Sequence, residues 1–194
     1  MKGKNTKLKQ IKICTWNICL GILHKMYLVK KFIEENDIDI LCIQEAEMKA
    51  EDNMDLIHIP GFNLELENTS ENFKIRTLTY IREGIVYERM NQFEKENAHV
   101  ICIKLVKENI NLASLYRTYK LTHLTSHKTA FEEQVGILGR FLNTGANNII
   151  VGDFNLDFKK RNDTSYHLRQ LYEEMIALEQ EHQLMQLIDF TTWR

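Results

Sequence analysis

Apolar and polar residues alternate along Ile11-Lys12-Ile13-Cys14-Thr15-Trp16, a period of two that predicts a β-strand. Between His24 and Asn36 the apolar positions Leu28, Val29, Phe32 and Ile33 recur at helical spacing, predicting an amphipathic helix. The run from Ile38 to Glu45 holds Ile40-Leu41-Cys42-Ile43 as an unbroken apolar stretch before Gln44 and predicts a second, buried strand. A strand, a helix and a strand in this order specify a parallel βαβ unit. Pro60-Gly61 contains the only proline of the chain and marks a turn. A strand meander is expected after it, over Phe62–Leu66, Thr77–Ile81, Val100–Val106 and Ile110–Tyr116, with a hairpin connection at Val106–Ile110. Phe131, Val135, Leu138 and Leu142 then define one face of a helix that Asn143-Thr144-Gly145 terminates. Asn148–Val151 is the next strand. Asp163-Thr164-Ser165 offers an N-cap for a long helix reaching about Leu184, with Leu168, Leu171, Tyr172, Met175 and Leu178 as its core stripe.

Parallel units mixed with a meander indicate one α/β domain over 11–194, preceded by a basic, flexible tail at 1–10. Composition agrees: 194 residues with 44% hydrophobic and 27% charged residues suit a single domain with a sizeable core. No apolar stretch approaches the ~20 residues that span a bilayer, so no membrane partner is expected. The Lys-rich start lacks a following apolar segment and is not a secretory signal. Cys14, Cys19, Cys42 and Cys102 form no C-x-x-C pair, and three of them lie in apolar strand-like runs. Reduced core cysteines in an intracellular protein are the expectation. A net charge of -2 carries no whole-chain signature of nucleic-acid binding, yet does not exclude a nuclease, whose metal site is itself acidic.

Candidate chemistry sits where strands end. Ile149-Ile150-Val151 runs into Gly152-Asp153-Phe154-Asn155, and a carboxylate and a carboxamide at i and i+2 can share one side of an extended segment. The same pattern is also that of a strand end capped by an Asx turn. The first two strands end in Thr15-Trp16-Asn17 and Gln44-Glu45, so one βαβ unit presents Asn17 and Glu45 together at its C-terminal edge. A carboxylate with an amide oxygen suits Mg²⁺. Ser114-Leu115-Tyr116-Arg117 closes another strand with a phenol that can donate to a phosphate and a guanidinium that can grip one bidentately, or equally with an amphipathic rim tyrosine beside a solvated arginine. Lys159-Lys160-Arg161 follows the Asp153/Asn155 pair, where it can meet a polyanion backbone or simply be solvated.

These segments, in this order, resemble the endonuclease/exonuclease/phosphatase superfamily. Ile59-Pro60-Gly61-Phe62, Arg76-Thr77-Leu78-Thr79-Tyr80-Ile81, Tyr116-Arg117, Leu184-Met185-Gln186-Leu187-Ile188 and the Thr192-Trp193-Arg194 ending look most like the endonuclease domain of non-LTR retrotransposon polyproteins. The resemblance implies a four-layer α/β sandwich, two packed mixed sheets flanked by helices. It implies Mg²⁺, or Mn²⁺, held by Glu45 with help from Asn17, an attacking water oriented by Asp153, and a phosphate positioned by Asn155 and Tyr116. The implied reaction is hydrolysis of a DNA phosphodiester, with a reverse transcriptase domain as partner in the parent polyprotein and the nucleus as compartment. Other substrates on the same fold are RNA, nucleotides or phosphoinositides, and a catalytically inactive relic or interaction module is a further alternative.

Departures from the family pattern set further expectations. The family's later Ser-x-x-Asp-His-like segment and last strands would begin after Arg194, so this chain alone is expected to be weak or inactive. His123 and His127 stand at i and i+4 in a polar connection, which favours a surface loop over a metal pair. His167 and His182 are expected on the long helix, and His24, His58 and His99 have no evident chemical partner in the sequence. Arg117-Thr118-Tyr119 replaces an Arg-Pro-Pro found in retrotransposon relatives.

Overall fold

The computed structural model describes residues 10–118 and 124–187, except 161, 164, 166 and 167. Among the described residues, eight strands form two four-stranded sheets. In the first, β1 (Ile13–Asn17), β2 (Ile40–Met48), β3 (Phe62–Leu66) and β4 (Ile75–Arg82) lie in the order β1-β2-β4-β3. In the second, β5 (Tyr87–Arg89), β6 (Val100–Leu105), β7 (Ile110–Tyr116) and β8 (Asn147–Asp153) lie in sequence order. α1 (Met26–Asn36) connects β1 to β2, and α2 (Leu124–Leu142) connects β7 to β8; both strand pairs are parallel. α3 (Arg169–Glu181) follows β8.

The period-two pattern builds the layers. Ile40 and Cys42 turn inward with Ile81, against Ile101, Ile103 and Leu112 of the second sheet. Leu41 and Ile43, one residue out of phase, turn outward with Leu78 and Tyr80 onto Val29 and Ile33 of α1. On the far side, Cys102, Ala113 and Leu115 meet Ile137, Leu138 and Phe141 of α2 and Leu178 of α3. The result is the expected four-layer sandwich, helix on sheet on sheet on helices. Each fully buried Leu or Ile contributes roughly 1.5–3 kcal/mol, so the three apolar seams dominate stability. The four cysteines are free, and burial pushes the Cys42 thiol up to about 11, keeping it protonated in the inter-sheet seam. Among the described residues, no helix is long and apolar enough to cross a membrane.

Four details differ from the sequence reading. The meander is broken: β3 and β4 join β2, whereas β5, β6 and β7 start the second sheet. β5 was not expected, since three residues, Tyr87–Arg89, are too few to show a period. β2 runs on to Met48 because its pairing with β4 shifts register between Gln44 and Met48, a bulge that conceals the alternation. α3 begins at Arg169 rather than at Asp163, whose carboxylate accepts from Ser165 N at 2.9 Å and Ser165 Oγ at 2.6 Å. Asp163 therefore closes a local turn and leaves the helix uncapped by a side chain. The core stripe of that helix holds, with Leu168, Leu171, Tyr172 and Leu178 buried.

Gly152 is required by the sheet. Its φ is +140°, and a Cβ there would sit 1.9 Å from the carbonyl oxygen of Leu115, its partner on β7. Backbone, not a flexible side chain, fills that space, so the chain cannot yield locally. Gly152→Ala is expected to destabilise the fold on the order of 3 kcal/mol, measured as a lower urea midpoint with an unchanged m-value.

Candidate active site

Parallel pairing brings strand ends together. β1 and β2 run side by side to Asn17 opposite Gln44, and β7 and β8 to Tyr116 opposite Asp153. Both pairs end on the same edge of the sandwich, because Asn17 of the first sheet donates directly to Asp153 of the second. Beneath that edge the seam between the sheets turns polar. Thr15 Oγ1 donates to Gln44 Oε1 at 3.0 Å, and Gln44 Nε2 donates to Ser114 Oγ at 3.4 Å, tying sheet to sheet through buried groups.

The Asn17 carboxamide is the hub. Its Nδ2 donates to Glu45 Oε1 at 3.0 Å and to Asp153 Oδ2 at 2.7 Å, while its Oδ1 accepts from Cys19 N at 2.9 Å. Glu45 also accepts from Tyr116 OH at 3.2 Å on Oε1 and from Leu20 N at 3.2 Å on Oε2. Asp153 accepts the Asn155 backbone N–H at 2.8 Å on Oδ1. Several of these positions are in the left-handed region: Cys19 (φ 54), Leu20 (φ 62), Glu45 (φ 57) and Asn155 (φ 49). Such conformations in non-glycine residues cost of order 1–3 kcal/mol each and persist where surrounding contacts fix them. Here the β2 bulge turns Glu45 toward Asn17, and the Asx turn at Asp153 fixes Asn155.

Tyr116 is held on every side. Its N–H donates to His99 O at 3.0 Å, and its own carbonyl accepts from Gln134 Nε2 of α2 at 2.9 Å. Burial, the charge and hydrogen bond of Glu45, and Asp153 push the phenol up to about 12, against an opposing pull from Arg76. Tyr116 is thus a neutral donor at physiological pH. Arg76 lies with its guanidinium 6.0 Å from the Tyr116 ring centre and pairs with Glu47 at 3.3 Å.

Asn17, Glu45, Tyr116 and Asp153 therefore converge as the sequence suggested, with Asn155 beside them. Other expected residues take different positions. Arg117 is buried, 4% exposed, and its Nε and Nη2 donate to the carbonyls of Phe154 and Asn155. Its backbone N–H donates to Asp153 O at 2.8 Å, its carbonyl accepts from Asn155 Nδ2 at 2.5 Å, and the Phe131 ring centre lies 6.0 Å from the guanidinium. In place of the expected phosphate contact, Arg117 clamps the loop that carries Asp153 and Asn155. Asn17 also departs from the expected ligand geometry, since its amide nitrogen faces the carboxylates and its oxygen faces Cys19. Lys159 and Lys160 sit exposed on a short 3-10 turn, Lys160 3.9 Å from Asp157, while Arg161 lies outside the described residues. His123 and His167 also lie outside them, and His127 belongs to α2 rather than to a loop. His99, which the sequence left without a partner, has its Nδ1 2.9 Å from Glu67 Oε2. Nothing local in the sequence pairs residues 32 positions apart; only the fold does.

The profile of the endonuclease/exonuclease/phosphatase family matches residues 14–188. The chain belongs to that family. No curated protein matches it by sequence. Among solved structures, an AP endonuclease from Leishmania major superposes with a TM-score of 0.70 at 17% identity, over 89% of this chain and 66% of that one. The endonuclease domain of TRAS1, a telomere-specific non-LTR retrotransposon, gives 0.65 at 12% identity, over 89% and 72%. A 3′ phosphatase from Neisseria, solved with a product DNA hairpin, gives 0.61 at 14% identity, over 87% and 71%. At these identities the likeness is one of fold. This chain spans 66% of the length of the Leishmania enzyme.

Members of this family generally depend on a divalent metal ion. Among the described residues no group of three or more His, Cys, Asp or Glu side chains forms a closed metal cage. Mg²⁺ does not need one, since it binds through one or two carboxylates and keeps several waters. Glu45 and Asp153, converging on a single amide nitrogen, supply that kind of open, hard-oxygen edge, with Glu45 as the residue that would hold the ion. Such an ion would polarise a phosphoryl oxygen and offset the charge that develops in hydrolysis.

The Arg117 clamp has a measurable consequence. Arg117→Lys keeps the charge and loses the planar fork, leaving a buried carbonyl without its donor. It should lower stability by about 1–3 kcal/mol and accelerate amide exchange at Asn155, while amides of β2 and β4 keep their protection. Unchanged exchange at Asn155 would contradict the clamp.

Proposed function

We propose that the protein is a Mg²⁺-dependent endonuclease that hydrolyses a DNA phosphodiester, in the manner of a retrotransposon endonuclease domain. The observation that carries this reading is the Asn17 carboxamide bridging Glu45 and Asp153 at the joint edge of both sheets. Asp153, held by Asn17 Nδ2 and the Asn155 N–H, accepts a proton from the attacking water and aims it. Tyr116, kept neutral, donates to a phosphoryl oxygen or steadies Glu45. The Asn155 NH₂ carries two hydrogens, one directed to Arg117 O and the second suited to a phosphate oxygen. Lys159, Lys160 and Arg161 follow Asn155 in the chain and would meet the DNA backbone. The TRAS1 domain supports the retrotransposon role; in that setting the nick leaves a 3′-hydroxyl for a reverse transcriptase partner, in the nucleus.

Nicking of supercoiled plasmid with enzyme in excess tests the proposal under single turnover, where a slow rate is still visible. Mg²⁺-dependent open circles are expected, with Asp153→Ala and Glu45→Gln each slowing the reaction by on the order of 10² or more. No nicking, or nicking indifferent to Asp153→Ala, would overturn it. Replacing Lys159 and Lys160 together by Ala should weaken DNA binding without regard to sequence. It should also flatten the logarithmic salt dependence by about 2, read by fluorescence anisotropy across a KCl series.

A further inference from the structure

Glu67 is a carboxylate whose side chain is wholly buried, 0% exposed, beside the His99 ring at 14%. Burying a carboxylate carries a desolvation penalty that an ion pair repays poorly, so a pair of apolar side chains would stabilise this spot at least as well. What a buried pair provides that apolar contact does not is fixed geometry.

The position of the pair shows what is being fixed. Glu67 directly follows β3 of the first sheet, and His99 directly precedes β6 of the second. Glu67 Oε2 meets His99 Nδ1 at 2.9 Å, and Glu67 Oε1 accepts the backbone N–H of Arg76 on β4. Both residues so held are neighbours of Tyr116. The His99 carbonyl accepts the Tyr116 N–H at 3.0 Å, and the two rings lie tilted with centres 6.2 Å apart. Arg76 lies over the same ring from the first sheet. The approach to His99 is itself shaped by Asn97 (φ 61) and His99 (φ 54), and Asn97 Oδ1 accepts from Thr69 Oγ1 at 2.9 Å and from Ser70 N at 3.1 Å. Segments 67–70 and 97–99 are therefore knitted together behind the site.

We infer that the Glu67–His99 pair is a positioning device for Tyr116, joining the two sheets at this edge so that the phenol of one meets Glu45 of the other. As a contribution to turnover, it rests on the endonuclease reading above; as a contribution to geometry, it does not. Neither Glu67 nor His99 touches substrate in this scheme.

The test uses the full chain with ring-¹³C-labelled tyrosine, the Tyr116 resonances being identified by their loss in Tyr116→Phe. Glu67→Gln keeps the size and one acceptor oxygen, and His99→Phe fills the ring volume without a hydrogen bond to Glu67. Either variant that retains a cooperative thermal transition decides the outcome. The Tyr116 ring signals should move in both, while those of Tyr80, whose phenol donates to Ile57 O at 2.7 Å on the far side of the first sheet, stay in place. Tyr116 signals unmoved in the folded variants would overturn the inference. In the single-turnover nicking assay, Glu67→Gln should lower the rate on the order of tenfold in the wild-type background and have little effect on Tyr116→Phe. Equal losses in both backgrounds would sink the catalytic part. If the wild type does not nick DNA, the endonuclease reading fails by itself and the tyrosine spectrum still decides the positioning role.

Discussion

Two carboxylates from different sheets share one amide nitrogen, and the architecture of the site depends on that contact. Glu45 and Asp153 oxygens bonded to the same Asn17 Nδ2 are necessarily within about 6 Å of each other. Two unit charges at that separation repel by about 3 kcal/mol at the effective dielectric of a protein surface. The fold offsets this with directed donors: Asn17 to both, Leu20 N–H and Tyr116 OH to Glu45, and Asn155 N–H to Asp153. Charge is concentrated first and neutralised only in part by dipoles, which is the state in which a divalent ion binds well.

Holding those donors requires backbone shapes that ordinary strands do not have. The β2 bulge puts Glu45 at positive φ, the Asx turn does the same to Asn155, and Gly152 lets β8 press against Leu115 just before Asp153. Each departure from regular sheet is answered by a fixed partner nearby. The buried Arg117 guanidinium spans the carbonyls of Phe154 and Asn155, so the loop carrying Asp153 and Asn155 is gripped from below. An exposed arginine at that place would leave the loop to solvent.

The legible part of this protein was what period and position alone determine. The apolar runs Ile40–Ile43 and Val100–Ile103 were legible as strands because no polar residue interrupts them; which of their residues face the other sheet and which face the helices, alternating by one step, is shown only by the packed fold. Polar residues closing apolar strands marked Asn17, Glu45, Tyr116 and Asp153, and parallel pairing then had to bring them to one edge. The sequence could not show where a long polar side chain turns. Arg117 follows Tyr116 like a solvent-facing rim residue, yet β7 ends so close to the 153–155 loop that the guanidinium finds carbonyls before it finds water. Glu67 and His99 were invisible for a related reason. Each lies just outside a strand, and the contact between them exists only once two separate sheets have been packed.

That packing explains why polar contacts crowd at one edge. Apolar surfaces hold the sheets together strongly but without direction, and the seam of Ile40, Cys42, Ile101 and Leu112 would tolerate small slides of one sheet over the other. A hydrogen bond weakens steeply with distance and angle, so it resists such slides. Asn17 to Asp153, Gln44 to Ser114, Tyr116 to Glu45 and Glu67 with His99 all cross between the sheets, and all lie at the end where Asn17, Glu45, Tyr116 and Asp153 converge. The apolar seam supplies the attraction and the polar edge supplies the alignment. A site assembled from two sheets needs both, because neither sheet alone contains the pair of carboxylates.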